Sequence, residues 1–267
     1  MVNPVPYWHP DADYSSCPFF IRRMNTSGYI KAAEVPRARL PLVGFIYLTS
    51  GEMLLEVERV PLLCSAGQLL LIPQERDFAI LHYSDACGFT GGFKQAYIPE
   101  NKSIFILPEP FRQAFWFDDA AFVGELFNML CNSFEKGDQA FIIKGLELLF
   151  TLVKNKKEQA FPETASTFLD RLFRPGAPLS SPADYALEQN ISLNYLNRTV
   201  KKATGKPVST WIDIARLNKA KRLLKDTRER VIDIAAAVGI FDQAYFSRFF
   251  RNHTGMSPSE FRRVMHG

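Results

Sequence analysis

Ser192-Leu-Asn-Tyr-Leu-Asn-Arg-Thr-Val-Lys-Lys-Ala-Thr-Gly205 and Asp242-Gln-Ala-Tyr-Phe-Ser-Arg-Phe-Phe-Arg-Asn-His-Thr-Gly255 are two copies of one pattern, fifty residues apart. Tyr195 pairs with Tyr245, Arg198 with Arg248, Lys201 with Arg251, Thr204 with Thr254 and Gly205 with Gly255. Each copy opens on a residue whose side-chain oxygen can accept a first-turn amide, Ser192 or Asp242. Each closes on a glycine, suited to the left-handed conformation at a helix C-terminus. In the first copy Leu193, Leu196, Val200 and Ala203 form an apolar helical stripe, with Asn194, Asn197, Arg198 and Lys201 on another face. In the second, Phe246, Phe249 and Phe250 form the stripe, and Ala244, Ser247, Arg248 and Arg251 repeat the outward spacing.

A shorter helix is predicted before each copy, from Pro182 to Gln189 ahead of Asn190-Ile191 and from about Val231 to Val238 ahead of Gly239-Ile240-Phe241. Ser181-Pro182 supplies an N-cap and a proline at the first helical position. Ala186 and Ala236, fifty apart, mark where the paired helices would approach closely. Helix, tight turn and capped second helix with basic and amide side chains outward is the helix-turn-helix plan. A plain helical bundle with a solvated charged stripe is the competing reading, and the duplication of the polar positions argues against it.

Charge divides the chain the same way. Residues 165–267 hold 17 Lys+Arg and 9 Asp+Glu, net +8, which leaves 15 and 19, net −4, for residues 1–164. A basic half is the electrostatic footprint expected for phosphate, and the acidic half should stay off it.

The segment from about Thr167 to Gly267 resembles the DNA-binding domain of the AraC/XylS family of bacterial transcription regulators. The resemblance lies in Ala186–Leu196, Lys201–Pro207, Ala215–Leu224, Ile234-Ala235, Val238-Gly239 and Ala244–Pro258. Ile240 departs from it, standing where the family usually has phenylalanine. The resemblance implies two helix-turn-helix units on a rigid connecting helix, entering successive major grooves of double-stranded DNA. Independently, Ser209 can cap a helix from about Thr210 to Leu224, roughly 22 Å long at about 1.5 Å per residue. Ser257-Pro258-Ser259-Glu260 is a capping box for a last helix through about Met265.

Arg198 and Arg248 are the expected guanine readers, because a guanidinium engages O6 and N7 together, and Asn194 and Asn197 the expected adenine readers. The second unit offers Gln243, Ala244 and Ser247, with less polar reach, so the first should dominate specificity. Lys201, Lys202 and Arg251, toward the helix C-termini, are expected on phosphates.

Residues 42–49, 53–58, 68–72, 78–83 and 92–98 read as short strands punctuated by turns, a sandwich or barrel. Leu48-Thr-Ser-Gly-Glu52 and Ala66–Pro73 resemble the cupin sensor domain often found ahead of AraC-type DNA-binding domains. Phe45, Tyr47, Phe78, Tyr83 and Phe93 are candidates to line an effector pocket, with core packing as the other role. Two helices are predicted next. One runs from Asp118 or Asp119 to Phe134 with Phe122, Leu126, Met129 and Leu130 inward. The other runs from Gln139 to Lys154 with Ile142, Leu146, Leu149 and Val153 inward. The resemblance implies that such helices dimerise the domain, and covering the sheet is the alternative. Residues 155–166 read as a polar linker. The expected organisation is a mainly-β cupin-like domain over 1–154, that linker, and an all-α domain over 167–267 with units at about 182–205 and 231–255.

Nothing in the motifs points to catalysis. His9, His82, His253 and His266 form no His-x-His pair of the kind that holds a first-row metal. There is no Gly-x-Ser-x-Gly, phosphate-binding glycine loop or Cys-x-x-Cys. Cys17, Cys64, Cys87 and Cys131 are scattered, which favours buried structural thiols over the alternative of a redox switch. No apolar run approaches the length of a membrane span, and Met1–Pro10 lacks a secretion signal's basic and apolar regions. The expectation is therefore a cytoplasmic, homodimeric, cofactor-free, non-enzymatic transcription regulator controlled by a small-molecule effector, with RNA polymerase as a further partner. Its alternatives are a constitutive dimeric regulator and a cupin-type enzyme fused to a DNA-binding domain.

Overall fold

The computed structural model describes residues 18–25, 38–58, 60–97, 114–153, 162–174 and 176–266. The described residues form two compact units, one over 18–153 and the other over 162–266. The expectations for Met1–Pro10, Cys17, the strand end at Ile98 and residues 155–161 lie outside the described residues.

The first unit is one antiparallel sheet of β1 (Phe19–Asn25), β2 (Ala38–Arg39), β3 (Val43–Val57), β4 (Val60–Ser65), β5 (Leu69–Ile72), β6 (Asp77–Phe93) and β7 (Ala114–Phe115). The strand order is β1-β6-β3-β5-β7, with β2 on β6 and β4 on β3. Ser50-Gly51, read as a turn between two strands, lies instead inside one 15-residue strand. Its register against β6 shifts between Leu48 and Ser50 and again between Ser50 and Glu52. Such bulges bend a strand without ending it. Gly51 has φ 71°, and a Cβ there would stand 2.3 Å from the carbonyl oxygens of Ser84 and Asp85, so the bend requires glycine. The expected strand 78–83 likewise extends to Phe93, where the strand expected over 92–98 ends, and β4 was not foreseen.

Both faces of the sheet are covered. Val43, Phe45, Tyr47, Leu69, Leu71, Phe89 and Phe93 join a core with α1 (Ala120–Lys136) and α2 (Gln139–Leu152). Ile46, Leu48, Met53, Leu55, Leu70, Ile72 and Phe78 belong to a second core on the opposite face. Strands buried on both sides carry apolar residues without alternation, which accounts for Leu69-Leu-Leu-Ile72. Asp119 and Asp138 cap α1 and α2 by accepting from Phe122 N and Phe141 N. α2 buries Ile142, Leu146, Leu149 and Val153 as expected. α1 is rotated from the expected face: Val123, Leu126, Phe127 and Leu130 are buried, while Phe122 and Met129 are exposed. The Phe127 ring sets this rotation, lying 4.6 Å from Tyr47 and 5.6 Å from Phe89.

The second unit comprises α3 (Glu163–Phe173), α4 (Pro182–Glu188), α5 (Leu193–Thr204), α6 (Val208–Asp226), α7 (Val231–Ala237), α8 (Gln243–Thr254) and α9 (Pro258–His266). Helix α3 begins inside the stretch read as a linker. Its Ala165, Phe168, Leu169 and Leu172 are buried, so residues 163–166 are part of the fold. α6 starts at Val208, not after Ser209, and its 19 residues span roughly 28 Å. Among the described residues no helix is long and apolar enough to cross a membrane.

Candidate nucleic-acid interface

Each half of the second unit places a capped helix after a tight turn. Ser192 Oγ accepts from Tyr195 N at 3.2 Å, and Asp242 Oδ1 from Tyr245 N at 2.9 Å. Gly205 (φ 75°) and Gly255 (φ 77°) close α5 and α8 in the left-handed conformation. Leu196 and Val200 anchor α5, and Phe246, Phe249 and Phe250 anchor α8. Leu193 is exposed and Ala203 partly so, making the inward stripe of α5 narrower than expected; Thr204 completes it.

Thr204 is a structural joint. Its hydroxyl donates to Val200 O at 2.8 Å and accepts from Lys206 N at 3.2 Å and Trp211 Nε1 at 2.8 Å. Thr254 repeats the first two contacts, on Phe250 O at 2.8 Å and Met256 N at 3.4 Å. The duplicated threonines thus serve the helix-to-helix corner. Ser257 and Glu260 form the expected capping box of α9, with Ser257 N donating to Glu260 Oε2 at 2.7 Å. The hydrogen bonds from Ser257 hold the Glu260 carboxyl below its usual range.

The outward faces hold most of the expected contact residues. Asn194, Arg198, Lys201 and Lys202 on α5, and Gln243, Ala244, Arg248 and Arg251 on α8, are all exposed. The Arg198 guanidinium lies 5.7 Å from the Tyr195 ring centre, a cation–π distance that keeps it along the helix surface. Arg251 is 3.8 Å from Glu260, so this cation faces an acidic neighbour that Lys201 lacks, since Thr210 stands at the matching place.

Two expected base readers are engaged internally. Asn197 is half-buried and its Oδ1 accepts from Val208 N at 3.1 Å, satisfying the first amide of α6. The matching position in the second copy is Ser247, and opposite it stands Pro258, which has no N–H to satisfy. Ser247 Oγ donates to Gln243 O at 2.9 Å. The remaining exposed polar readers are Asn194 and Arg198 on one helix and Gln243 and Arg248 on the other.

The repeat also changes register at the turn, which the fifty-residue offset concealed. Ile191 N bonds to Ala186 O, and Ile240 N to Ala235 O, a spacing of 49. Asn190 (φ 53°) matches Gly239 (φ 74°) as the left-handed residue of each turn. Accordingly Ala235, not Ala236, is the buried partner of Ala186. From Ser192 and Asp242 onward the spacing is 50, so the second turn holds one extra residue, Phe241.

The five aromatic candidates for an effector pocket do not converge. Phe45, Tyr47 and Phe93 lie in the core under α1 and α2, whereas Phe78 and Tyr83 belong to the opposite face. The Tyr47 hydroxyl donates to Ala120 O at 2.6 Å, and burial pushes its pKa up to about 12. Cys64 and Cys131 are free thiols whose pKa burial raises, and Cys87 Sγ donates to Asn25 Oδ1 at 3.3 Å. Among the described residues no three His, Cys, Asp or Glu side chains come together as a metal site.

Residues 185–264 match a family model described as a helix-turn-helix domain. The chain is 34% identical over 110 residues to the uncharacterized HTH-type transcriptional regulator YijO of Escherichia coli, covering 41% of this chain and 38% of that protein. It is 40% identical over 72 residues to the arabinose operon regulatory protein of Salmonella typhimurium, covering 27% and 26%. It is 33% identical over 97 residues to the bifunctional transcriptional activator/DNA repair enzyme AdaA of Bacillus subtilis, covering 36% and 44%. The chain thus spans less than half the length of these relatives.

Proposed function

We propose that residues 185–264, which match the helix-turn-helix family model, form an AraC-type DNA-binding domain and that this chain is a sequence-specific DNA-binding transcription regulator without enzymatic activity. The observation that carries the reading is the pair of capped helices α5 and α8, each with an exposed arginine at the same position. The net charge of +8 over residues 165–267 supports it. The 28 Å connecting helix, together with the units' own widths, suits two major grooves one turn, about 34 Å, apart.

Arg198 and Arg248 take guanine edges, Asn194 an adenine edge, and Lys201, Lys202 and Arg251 phosphates. Arg198→Ala is expected to weaken binding to a selected cognate duplex by about 1–3 kcal/mol and to relax preference at one position. Lys201→Gln should instead lower affinity on all sequences and reduce the log-log salt slope by about 0.9. Titrations of both variants on cognate and random duplexes at several salt concentrations separate the roles. Equal loss on both duplexes would remove Arg198 from base reading.

The first unit is proposed as the dimerising and regulatory module, a cupin-like domain acting in the cytoplasm, with RNA polymerase as a further partner of the complex. Phe122 and Met129 on α1 and Ile143 and Leu148 on α2 remain exposed after the inner faces have packed on the sheet. That leaves both helices an apolar outer surface for a second protomer. Small-molecule control rests on the resemblance of the first unit to sensor domains. The constitutive reading is favoured by the division of the five aromatic side chains between two packed cores. Thermal shift of the whole protein against a metabolite collection decides between them: a ligand that also changes operator affinity selects effector control.

Purified protein is expected to carry far less than one equivalent of Fe, Mn, Ni or Zn, since its four histidines lie far apart in sequence and form no His-x-His pair. Elemental analysis checks this, and stoichiometric metal resisting mild chelation would favour the enzyme-fusion reading.

A further inference from the structure

We propose that Phe241 gives the second reading helix an apolar contact to thymine methyl groups. The half-site under α8 is then read by methyl recognition in addition to the Arg248 guanine contact, and the half-site under α5 by Arg198 and Asn194 without a matching methyl contact. The inference rests on the DNA-binding function proposed above and adds the chemistry of one half-site.

Phe241 is the residue by which the two turns differ in length, and it is 85% exposed. Single exposed apolar residues are common on protein surfaces. The position of this one distinguishes it: it directly precedes Asp242, the N-cap of α8. The N-terminal residues of a reading helix are those that face base edges. In the first unit the residue before the cap Ser192 is Ile191, the half-buried counterpart of Ile240, so nothing there corresponds to Phe241.

The neighbours of Phe241 continue the same chemistry. Ala244 and Tyr245, three and four residues on, are exposed, Tyr245 to 53%. Two of the polar groups nearby are engaged within the helix, Asp242 Oδ1 with Tyr245 N and Ser247 Oγ with Gln243 O, while the Gln243 side chain stays exposed beside this apolar group. Ala and Phe side chains match the thymine C5-methyl in the major groove, which no other base carries there. On α5 the position matching Ala244 is the Asn194 amide, a hydrogen-bonding group, set between the exposed Leu193 and Tyr195, and no residue there matches Phe241.

The test uses full-length protein and its preferred duplex, selected from a random pool. The half under α8 is the one whose preference Arg248→Ala relaxes. Thymines are then replaced by deoxyuridine, which removes only the methyl group, in one half at a time. Wild-type protein should lose about fourfold in affinity for each contacted methyl removed under α8, and less than about twofold under α5. Phe241→Ser, with an unchanged melting temperature, should bind the thymine duplex more weakly and no longer distinguish uracil in that half. Phe241→Leu should keep most of the discrimination. Indifference of wild-type protein to uracil under α8, or discrimination by Phe241→Ser equal to that of wild type, overturns the inference while leaving sequence-specific binding intact. A protein that enriches no sequence overturns the DNA-binding function, and this inference with it.

Discussion

Full-length protein should bind a duplex carrying two cognate sites about 10² to 10⁴ times more tightly than a duplex carrying one. The gain comes from joining two binding events through a dimer, with no new contact to DNA. The outer surfaces of α1 and α2 carry the prediction, because Phe122, Met129, Ile143 and Leu148 are exposed there while the inner residues already pack on the sheet. Replacing Phe122 and Met129 together by glutamate should abolish the gain and leave single-site affinity unchanged, since neither residue lies in the helix-turn-helix unit. Sedimentation at micromolar concentration and titrations on single and doubled sites measure both quantities. A monomeric wild-type protein with no gain on the doubled site would reduce α1 and α2 to a cover for the sheet.

Trp211→Ala is expected to destabilise the second unit by about 3–5 kcal/mol, the range for truncating a buried large aromatic. Trp211 is fully buried on α6, packs edge-on against Phe173 at 6.3 Å, and donates its indole N–H to Thr204. It therefore joins α3, α5 and α6 at one point, and its loss leaves a void beside a hydroxyl deprived of a partner. The melting transition of this unit should fall by on the order of 10–20 °C. Trp211→Phe should recover part of the loss by refilling the void while leaving the Thr204 hydroxyl without its indole partner. Scanning calorimetry on the whole protein measures both variants; a shift below about 3 °C for the alanine variant would mean that the site collapses around the missing ring.

Four caps were legible in the sequence because capping is local: Ser181, Ser192, Asp242 and Ser257 each act within three residues, whereas Ser209 does not cap because α6 already begins at Val208. Features depending on distant partners were not. Asn197 looks like a free amide until α6 brings Val208 N to it, eleven residues away. The register change at the second turn was hidden because Ala235 and Ala236 are identical in type, and only packing separates the buried one. The rotation of α1 was ambiguous because Phe122 and Val123 are both apolar, and contact with Tyr47 and Phe89 resolves it. Ser50-Gly51 carries turn chemistry, yet continuous pairing of β3 with β6 on both sides of it makes a bend. The aromatic strand residues illustrate the same limit: alternation puts Phe45 and Tyr47 on one face, but cannot say that Phe78, on another strand, faces the opposite way.

The bond from Val208 N to Asn197 has a bearing on transplantation. A designer who grafts the surface of α8 onto the frame of α5 would place serine at 197 and strip the connecting helix of the acceptor for its first amide. The reverse graft would put an asparagine opposite Pro258, where there is no amide to take it. The two halves are therefore not exchangeable cassettes. Specificity can be moved between them only if position 197 travels with 208, and 247 with 258, as matched pairs.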